Sequence, residues 1–384
     1  MMRQDSRTEV RDHSEKVQDP HRSLHSQTGA RPGEHPGRSK NPLVKVVGLA
    51  WLEFEKPNLD RAERFGTDFG FTISDRTEES LVLRGREAGA ACLVIRRGPQ
   101  ARFVGLAFQA AERGDLDRLA GGAGTTVMAH QGGHTVLLRD PSGFPVRVVH
   151  GVPEQPALPV RAPLPLNFGS GPTRLNAAQR PAERPAEIQR LGHVVLGTTR
   201  FRAALDWYLD TLGLIVSDFL YLDGERDRGP AMAFIRCDLG SVPADHHTLA
   251  MILQPRTEYV HSAYQLTDLD EVAASGQYLR ERGYRHAWGL GRHIQGSQIF
   301  DYWRDPDRAM FEHYTDGDVF DAAMEPGWAP LSVSGLSQWG PKATAEFTGT
   351  KDPRVVVAAI KALRDKGNEV DLRALRGLIK AMGS

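Results

Sequence analysis

The sequence predicts an α+β fold: two domains, each made of two paired βαβββ modules that curl into a half-open barrel, followed by C-terminal helices. Three observations predict it. The chain has 384 residues, a length that suits two domains better than one or three. Runs of strand character alternate with runs of helical spacing in a set order, strand, helix, then strands. That order recurs twice in each half and in both halves, the mark of a repeated structural unit.

Composition sets the outer limits. Lys and Arg number 48 and so do Asp and Glu, a balance that argues against a nucleic-acid binder. No run approaches the roughly 18 apolar residues of a membrane span, so no membrane partner is expected. Two cysteines, Cys92 and Cys237, are too few for a disulfide framework or a Cys-rich zinc site. Each lies in an apolar stretch and reads as a buried thiol of a reducing, cytoplasmic compartment.

Taken in order, residues 1–40 are expected to form a disordered tail, with only Val10, Val17 and Leu24 as larger aliphatic side chains. The first domain is expected over 44–151: LVKVVGLAWLEF reads as a strand, NLDRAERFGTDFG as a helix and FTISD as the next strand. Residues 152–188 hold 8 of the 24 prolines and read as a linker. The second domain, 189–320, repeats the pattern with RLGHVVLG, the helix RFRAALDWYLDTLG and LIVSD. Strands are expected near 214–222, 231–237 and 247–253. The cycle restarts with a strand at 259–266, a helix near 268–282 and strands near 298–303 and 308–314. Arg139-Asp140-Pro141 and Arg304-Asp305-Pro306 stand 165 positions apart and anchor the alignment of the halves. The remaining 321–384 reads as a helical extension. One helix opens at Asp352-Pro353 and stops at Gly367, and a second has Leu372, Leu375, Ile379 and Met382 on one face.

Chemistry is expected where polar residues interrupt apolar strands at matching places. His193 lies inside RLGHVVLG, His261 inside YVHSAYQL and Glu312 inside AMFEHYTDG. Singly, each reads more readily as a satisfied core residue. Together on equivalent strands, two imidazoles and a carboxylate form the facial set that holds Fe(II) with open positions left over. The corresponding positions of the first half are approximately Leu49, Gly105 and Arg147, none of them a ligand, so one metal site is expected in the second half only.

With DHHTLAM, GRH at 291–293 and Tyr302 added, the chain resembles the type I extradiol ring-cleaving dioxygenases of the vicinal oxygen chelate superfamily, of the catechol 2,3-dioxygenase and biphenyl-diol dioxygenase kind. The resemblance covers about 44–316 and is stronger in the second half. It implies His193, His261 and Glu312 as ligands of Fe(II), with Mn(II) as a substitute. It also implies His247 as acid/base, and His293 and Tyr302 as hydrogen-bonding partners of the substrate. The implied substrates are a catecholic aromatic and O2, with ring opening beside the hydroxyls, in a homo-oligomeric protein. His246, His286, His313 and Tyr314 lie near without an assigned role, and His130, His134 and His150 read as structural. The alternatives are a related dioxygenase acting on a hydroquinone or 4-hydroxyphenylpyruvate-like substrate, and a non-catalytic small-molecule-binding protein of the bleomycin-resistance kind.

Overall fold

The computed structural model describes residues 29–332, 334–349 and 353–383. The first half consists of β1 (Val46–Lys56), α1 (Leu59–Phe69), β2 (Thr72–Arg76), β3 (Ser80–Arg84) and β4 (Leu93–Arg97), then β5 (Arg102–Ala110), α2 (Arg113–Ala123), β6 (Met128–His130), β7 (Gly133–Arg139) and β8 (Pro145–His150). The second half opens with β9 (Leu191–Thr198), α3 (Phe201–Leu212), β10 (Leu214–Leu222), β11 (Met232–Cys237), β12 (Ala244–Asp245) and β13 (Leu249–Leu253). It continues through β14 (Glu258–Gln265), α4 (Leu269–Glu281), β15 (Arg285–His293), β16 (Ile299–Arg304) and β17 (Met310–Thr315).

The first sheet has the order β2-β3-β4-β1-β5-β8-β7-β6, and the second repeats it as β10-β11-β13-β9-β14-β17-β16-β15. In each, the first strand of the half sits centrally, parallel to one neighbour and antiparallel to the other. Local chemistry bounds the helices. Asn58 caps α1 by accepting from Arg61 N at 2.8 Å, and Gly70 closes it at φ 115°, a backbone angle that suits glycine. Phe65 and Phe69 of α1 then pack against Phe311, and Phe54 of β1 against Tyr259, joining the halves through an aromatic seam.

Polar contacts across this seam follow the repeat. The aspartates of the two Arg-Asp-Pro turns each serve the opposite half: Tyr208 donates to Asp140 at 3.1 Å, and Lys56 donates to Asp305 and, at 3.4 Å, to Asp307. Ser142 and Thr198, at the places matching Asp307 and Lys56, lie 2.6 Å apart. Lys56 and Asp305 are both 3% exposed. Burial pushes the Asp305 carboxyl upward, and Lys56 opposes that rise. Lys56→Ala leaves this carboxylate buried without its cation and is expected to cost about 3–5 kcal/mol, read as a lower urea midpoint. An unchanged midpoint would show that the pair contributes nothing.

Three boundaries differ from expectation. Of the tail expected over 1–40, residues 1–28 lie outside the described residues, while 29–40 run along the second half. There Val216 N donates to Gly37 O at 2.7 Å, Arg226 donates to Glu34 at 2.7 and 2.9 Å, and Arg38 donates to Ala322 O at 2.7 Å. A count of apolar side chains misses an attachment made of polar clamps.

The extension after the second half begins as sheet rather than helix. After β18 (Val319–Phe320), β19 (Gly327–Leu331) joins β10 and β20 (Ser337–Trp339) joins β15, lengthening the second sheet at both edges. Then come α5 (Ala345–Thr348), α6 (Pro353–Arg364) and α7 (Leu372–Gly383). Asp352, expected as a cap, lies outside the described residues, and α6 ends before Gly367. In α7 the buried face is Ala374, Leu378 and Ala381. Leu372 and Ile379 of the expected face are each 58% exposed, because the helix lies close on Leu222 of β10 and small side chains permit that approach.

The third difference is β15, a strand that no alternating pattern announces. Its ladder with β16 is interrupted twice, around Trp288 and around Gly289 to Gly291, so HAWGLGRH lacks the period of two that betrays a regular strand.

Candidate metal centre

The middle of the second sheet builds the site. Ala263 of β14 is the hub: it pairs with His193 on β9 and with Glu312 on β17. Residues directly opposite share a face, and His261, two residues before the hub, shares it too. All three side chains therefore enter one hollow. Nε2 of His193 and Nε2 of His261 lie 3.3 and 3.2 Å from Glu312 Oε2. Among the described residues this is the one group of histidine, cysteine and carboxylate side chains spaced to hold a metal, its ligand atoms all within 4.8 Å of one another.

The donor set fits a cation. Glu312 is 0% exposed, yet neither carboxylate oxygen accepts a well-directed hydrogen bond among the described residues. A buried carboxylate left in that condition is costly unless a positive charge meets it. Burial opposes its ionisation, but the imidazoles of His193, His261 and His293 outweigh burial and hold its pKa well below the usual carboxylate range. Burial pushes the pKa of His261 down, which favours the neutral imidazole that metals require.

Three further side chains expected from the sequence surround this group. The His247 ring lies 3.9 Å from that of His193. Burial, aided by His193 and His246, holds its pKa well below the ordinary histidine value. His293 Nδ1 donates to the Leu336 carbonyl at 2.7 Å, which leaves Nε2 to accept from the Tyr302 hydroxyl at 2.9 Å. Tyr302 is directly opposite Glu312 in the β16–β17 ladder. Burial, reinforced by Glu312, raises its pKa well above the ordinary phenol value.

The other nearby residues separate by strand face. Along β17, Glu312 and Tyr314 face the hollow, whereas Phe311 and His313 face the first half. His313 Nε2 donates to Phe69 O at 2.7 Å, and burial pushes its pKa down to about 3. The Tyr314 ring lies 5.7 Å from His193, an approach that Gly192 permits: a Cβ there would meet the Tyr314 hydroxyl at 2.2 Å. His286 pairs with Asp301 at 2.6 Å. His246 turns from the ligands toward Asp218, a residue that sequence reasoning missed because a single aspartate ending a short apolar run carries no signal.

The first half shows what the same hollow becomes without ligands. Its hub is Ala107, which pairs with Trp51 and with Arg147, so the residue matching His193 is Trp51, not Leu49. β1 and β9 carry the same bulge here, Leu49 pairing with Phe108 as Leu191 pairs with Tyr264, so Leu49 matches Leu191. Gly105 and Arg147 stand where expected. Arg147 donates to Glu53 at 2.6 Å, and Trp51 donates to the same carboxylate oxygen at 3.2 Å. A Cβ at Gly105 would lie 2.5 Å from the Pro145 carbonyl oxygen, so no histidine fits in place of His261 without moving backbone. Leu52 N donates to Cys92 O as Val194 N donates to Thr248 O, which puts Ala91 in the place of His247. His130 stacks on Trp51 at 5.7 Å, against the plug.

Two sheets that share one eight-strand topology, with a buried His-His-Glu group in the second alone among the described residues, define a vicinal oxygen chelate protein with one candidate metal centre. The profile of the Glyoxalase/Bleomycin resistance protein/Dioxygenase superfamily matches residues 190–313. Metapyrocatechase 2 of Cupriavidus necator is 30% identical over 344 residues, 86% of this chain and 98% of that protein. The iron-dependent extradiol dioxygenase of Rhodococcus jostii (strain RHA1) is 26% identical over 159 residues, 40% of this chain and 50% of that protein. Homoprotocatechuate 2,3-dioxygenase from Arthrobacter globiformis superposes with a TM-score of 0.65 at 19% identity, covering 81% of this chain and 93% of that one. The chain belongs to the extradiol dioxygenases of the vicinal oxygen chelate superfamily. It is an enzyme, which sets aside the sequestering-protein alternative. No helix among the described residues is long and apolar enough to cross a membrane.

Proposed function

We propose that this chain opens the ring of a catechol beside its two hydroxyls, inserting both atoms of O2, with Fe(II) held by His193, His261 and Glu312. The single observation that carries the assignment of ligands is the buried Glu312 carboxylate, without a well-directed hydrogen bond and faced by two imidazoles. When bound, such an ion would supply Lewis-acid chemistry that lowers the pKa of the catechol hydroxyls. Mn(II) takes the same donor set.

The surrounding side chains divide the remaining work. His247, neutral at pH 7, is placed to take a proton from a catechol hydroxyl and return it later. Tyr302 stays protonated, and with His293 it forms a polar edge that orients the substrate oxygens. Two neutral imidazoles and one carboxylate leave a divalent site with net charge of about +1, which favours a catecholate anion. We place the enzyme in the cytoplasm as a homo-oligomer; its two buried, unpaired thiols, Cys92 and Cys237, suit a reducing compartment.

The test is anaerobic loading with Fe(II), then admission of air to a panel of substituted catechols. Yellow ring-fission products are expected, and their absence with every catechol would overturn the reading. Loaded protein should carry about one ion per chain, since the first hollow is plugged by Trp51, Glu53 and Arg147. Two tightly held ions per chain would contradict that account of the first half.

A further inference from the structure

Behind His247 lies a polar chain that leads away from the metal centre into the core. Asp218 and His246 are 2% and 1% exposed. Asp218 Oδ2 lies 2.6 Å from His246 Nε2, and His246 Nδ1 lies 3.0 Å from His247 Nδ1. Their surroundings hold this geometry. Ser217 Oγ donates to the His246 carbonyl at 2.6 Å, and Arg236 donates to Ser217 Oγ at 2.8 Å. His246 N donates to Asp318 O at 2.9 Å. The rings of Phe234 and Phe320 pack on His246 at 5.5 and 5.4 Å. Gly296 covers the same ring so closely that a Cβ there would meet Nδ1 at 3.0 Å.

Hydrogen-bond polarity decides what this chain does. An ionised carboxylate only accepts, so the proton of a neutral His246 sits on Nε2, facing Asp218. Its Nδ1 is then bare and must accept, so His247 donates from Nδ1. A neutral His247 with its proton on Nδ1 has a bare Nε2, at the far end of a ring that lies against His193.

We propose that Asp218 and His246 are positioning residues that lock His247 in the Nδ1–H form, so that its unprotonated Nε2 is presented to the metal centre as a base. The inference rests on the reading of His247 as the acid/base. The logic is that of a carboxylate orienting a catalytic imidazole, extended by one ring. In the first half Ala90 and Ala91 stand at the places of His246 and His247 while Asp75 keeps the place of Asp218, so it is the pair of imidazoles that accompanies the metal ligands.

The test combines turnover with a readout of the tautomer. In full-length protein carrying Zn(II) as a diamagnetic probe and 15N-labelled histidine, His247→Gln identifies the His247 signals. The wild type is expected to show the Nδ1–H form, and Asp218→Leu and His246→Leu a shift toward the Nε2–H form. With Fe(II), both variants should keep their iron and the KM for catechol while kcat falls about 10- to 100-fold. His246→Asn, whose side-chain oxygen can accept in place of Nδ1, should recover much of the rate. Asp218→Asn keeps an accepting oxygen and should retain the Nδ1–H form and much of kcat, whereas Asp218→Ala, which has no acceptor, keeps the question answerable if Asp218→Leu does not fold and should lower kcat without lowering iron content. If Asp218→Ala and His246→Leu turn over like the wild type with His247 still in the Nδ1–H form, the pair only packs the core and the inference fails. If His247→Ala itself keeps full kcat, the reading of His247 fails first.

Discussion

Glu312→Ala protein is expected to emerge from anaerobic iron loading with essentially no bound metal and no measurable ring cleavage. The reason is charge. His193 and His261 are neutral donors, and Glu312 is the one anionic ligand in a hollow whose three ligating side chains are 2%, 7% and 0% exposed. A divalent ion held there without it would be buried against neutral imidazoles alone, and desolvation would exceed the attraction. Metal binding also stabilises the folded chain by mass action, which gives a readout independent of turnover. Adding Fe(II) or Zn(II) should raise the melting temperature of the wild type and leave that of the variant in place. A Glu312→Ala protein with about one iron per chain and full activity would refute the site.

The second large effect is expected at His247. With the three proposed ligands intact, His247→Ala should keep its iron and still bind catechol anaerobically, while kcat falls by about 100- to 10,000-fold. A similar fall in kcat and kcat/KM would mark an interaction made chiefly in the transition state. His246→Ala is the necessary comparison. Its ring faces Asp218 rather than the ligands, so its loss should cost turnover less than the loss of His247. Were His246→Ala inactive and His247→Ala like the wild type, the two roles would have to be exchanged.

The convergence of His193, His261 and Glu312 was legible because each breaks an apolar strand that otherwise has no use for a polar residue. The same principle located His293 and Tyr302 only with the help of family resemblance, since β15 is too irregular to read as a strand and Tyr302 by itself reads as core. It failed at Leu49. Counting along two halves aligns residues by position, whereas strands align by hydrogen bonds, and the ladders, with a bulge that β1 and β9 share, match Leu49 to Leu191 and Trp51 to His193. It was silent on Asp218, whose importance comes from the imidazole 2.6 Å away and 28 positions later in the chain.

By itself the sequence determined what is local or periodic: the order of strands and helices, the doubling of the unit, the loop-rich segment between halves, and the residue types that hold a metal. These follow from alternation, helical spacing and turn chemistry, each acting within a few residues. The tertiary structure alone decided which side chains meet. It made Ala263 the hub between His193 and Glu312, filled the first hollow with Trp51, Glu53 and Arg147, tied residues 29–40 to the second half, and added β19 and β20 to its sheet edges. Strand pairing and burial join residues far apart in the chain, and a one-residue change of register turns a side chain from one face of a sheet to the other. No count along the chain contains that information.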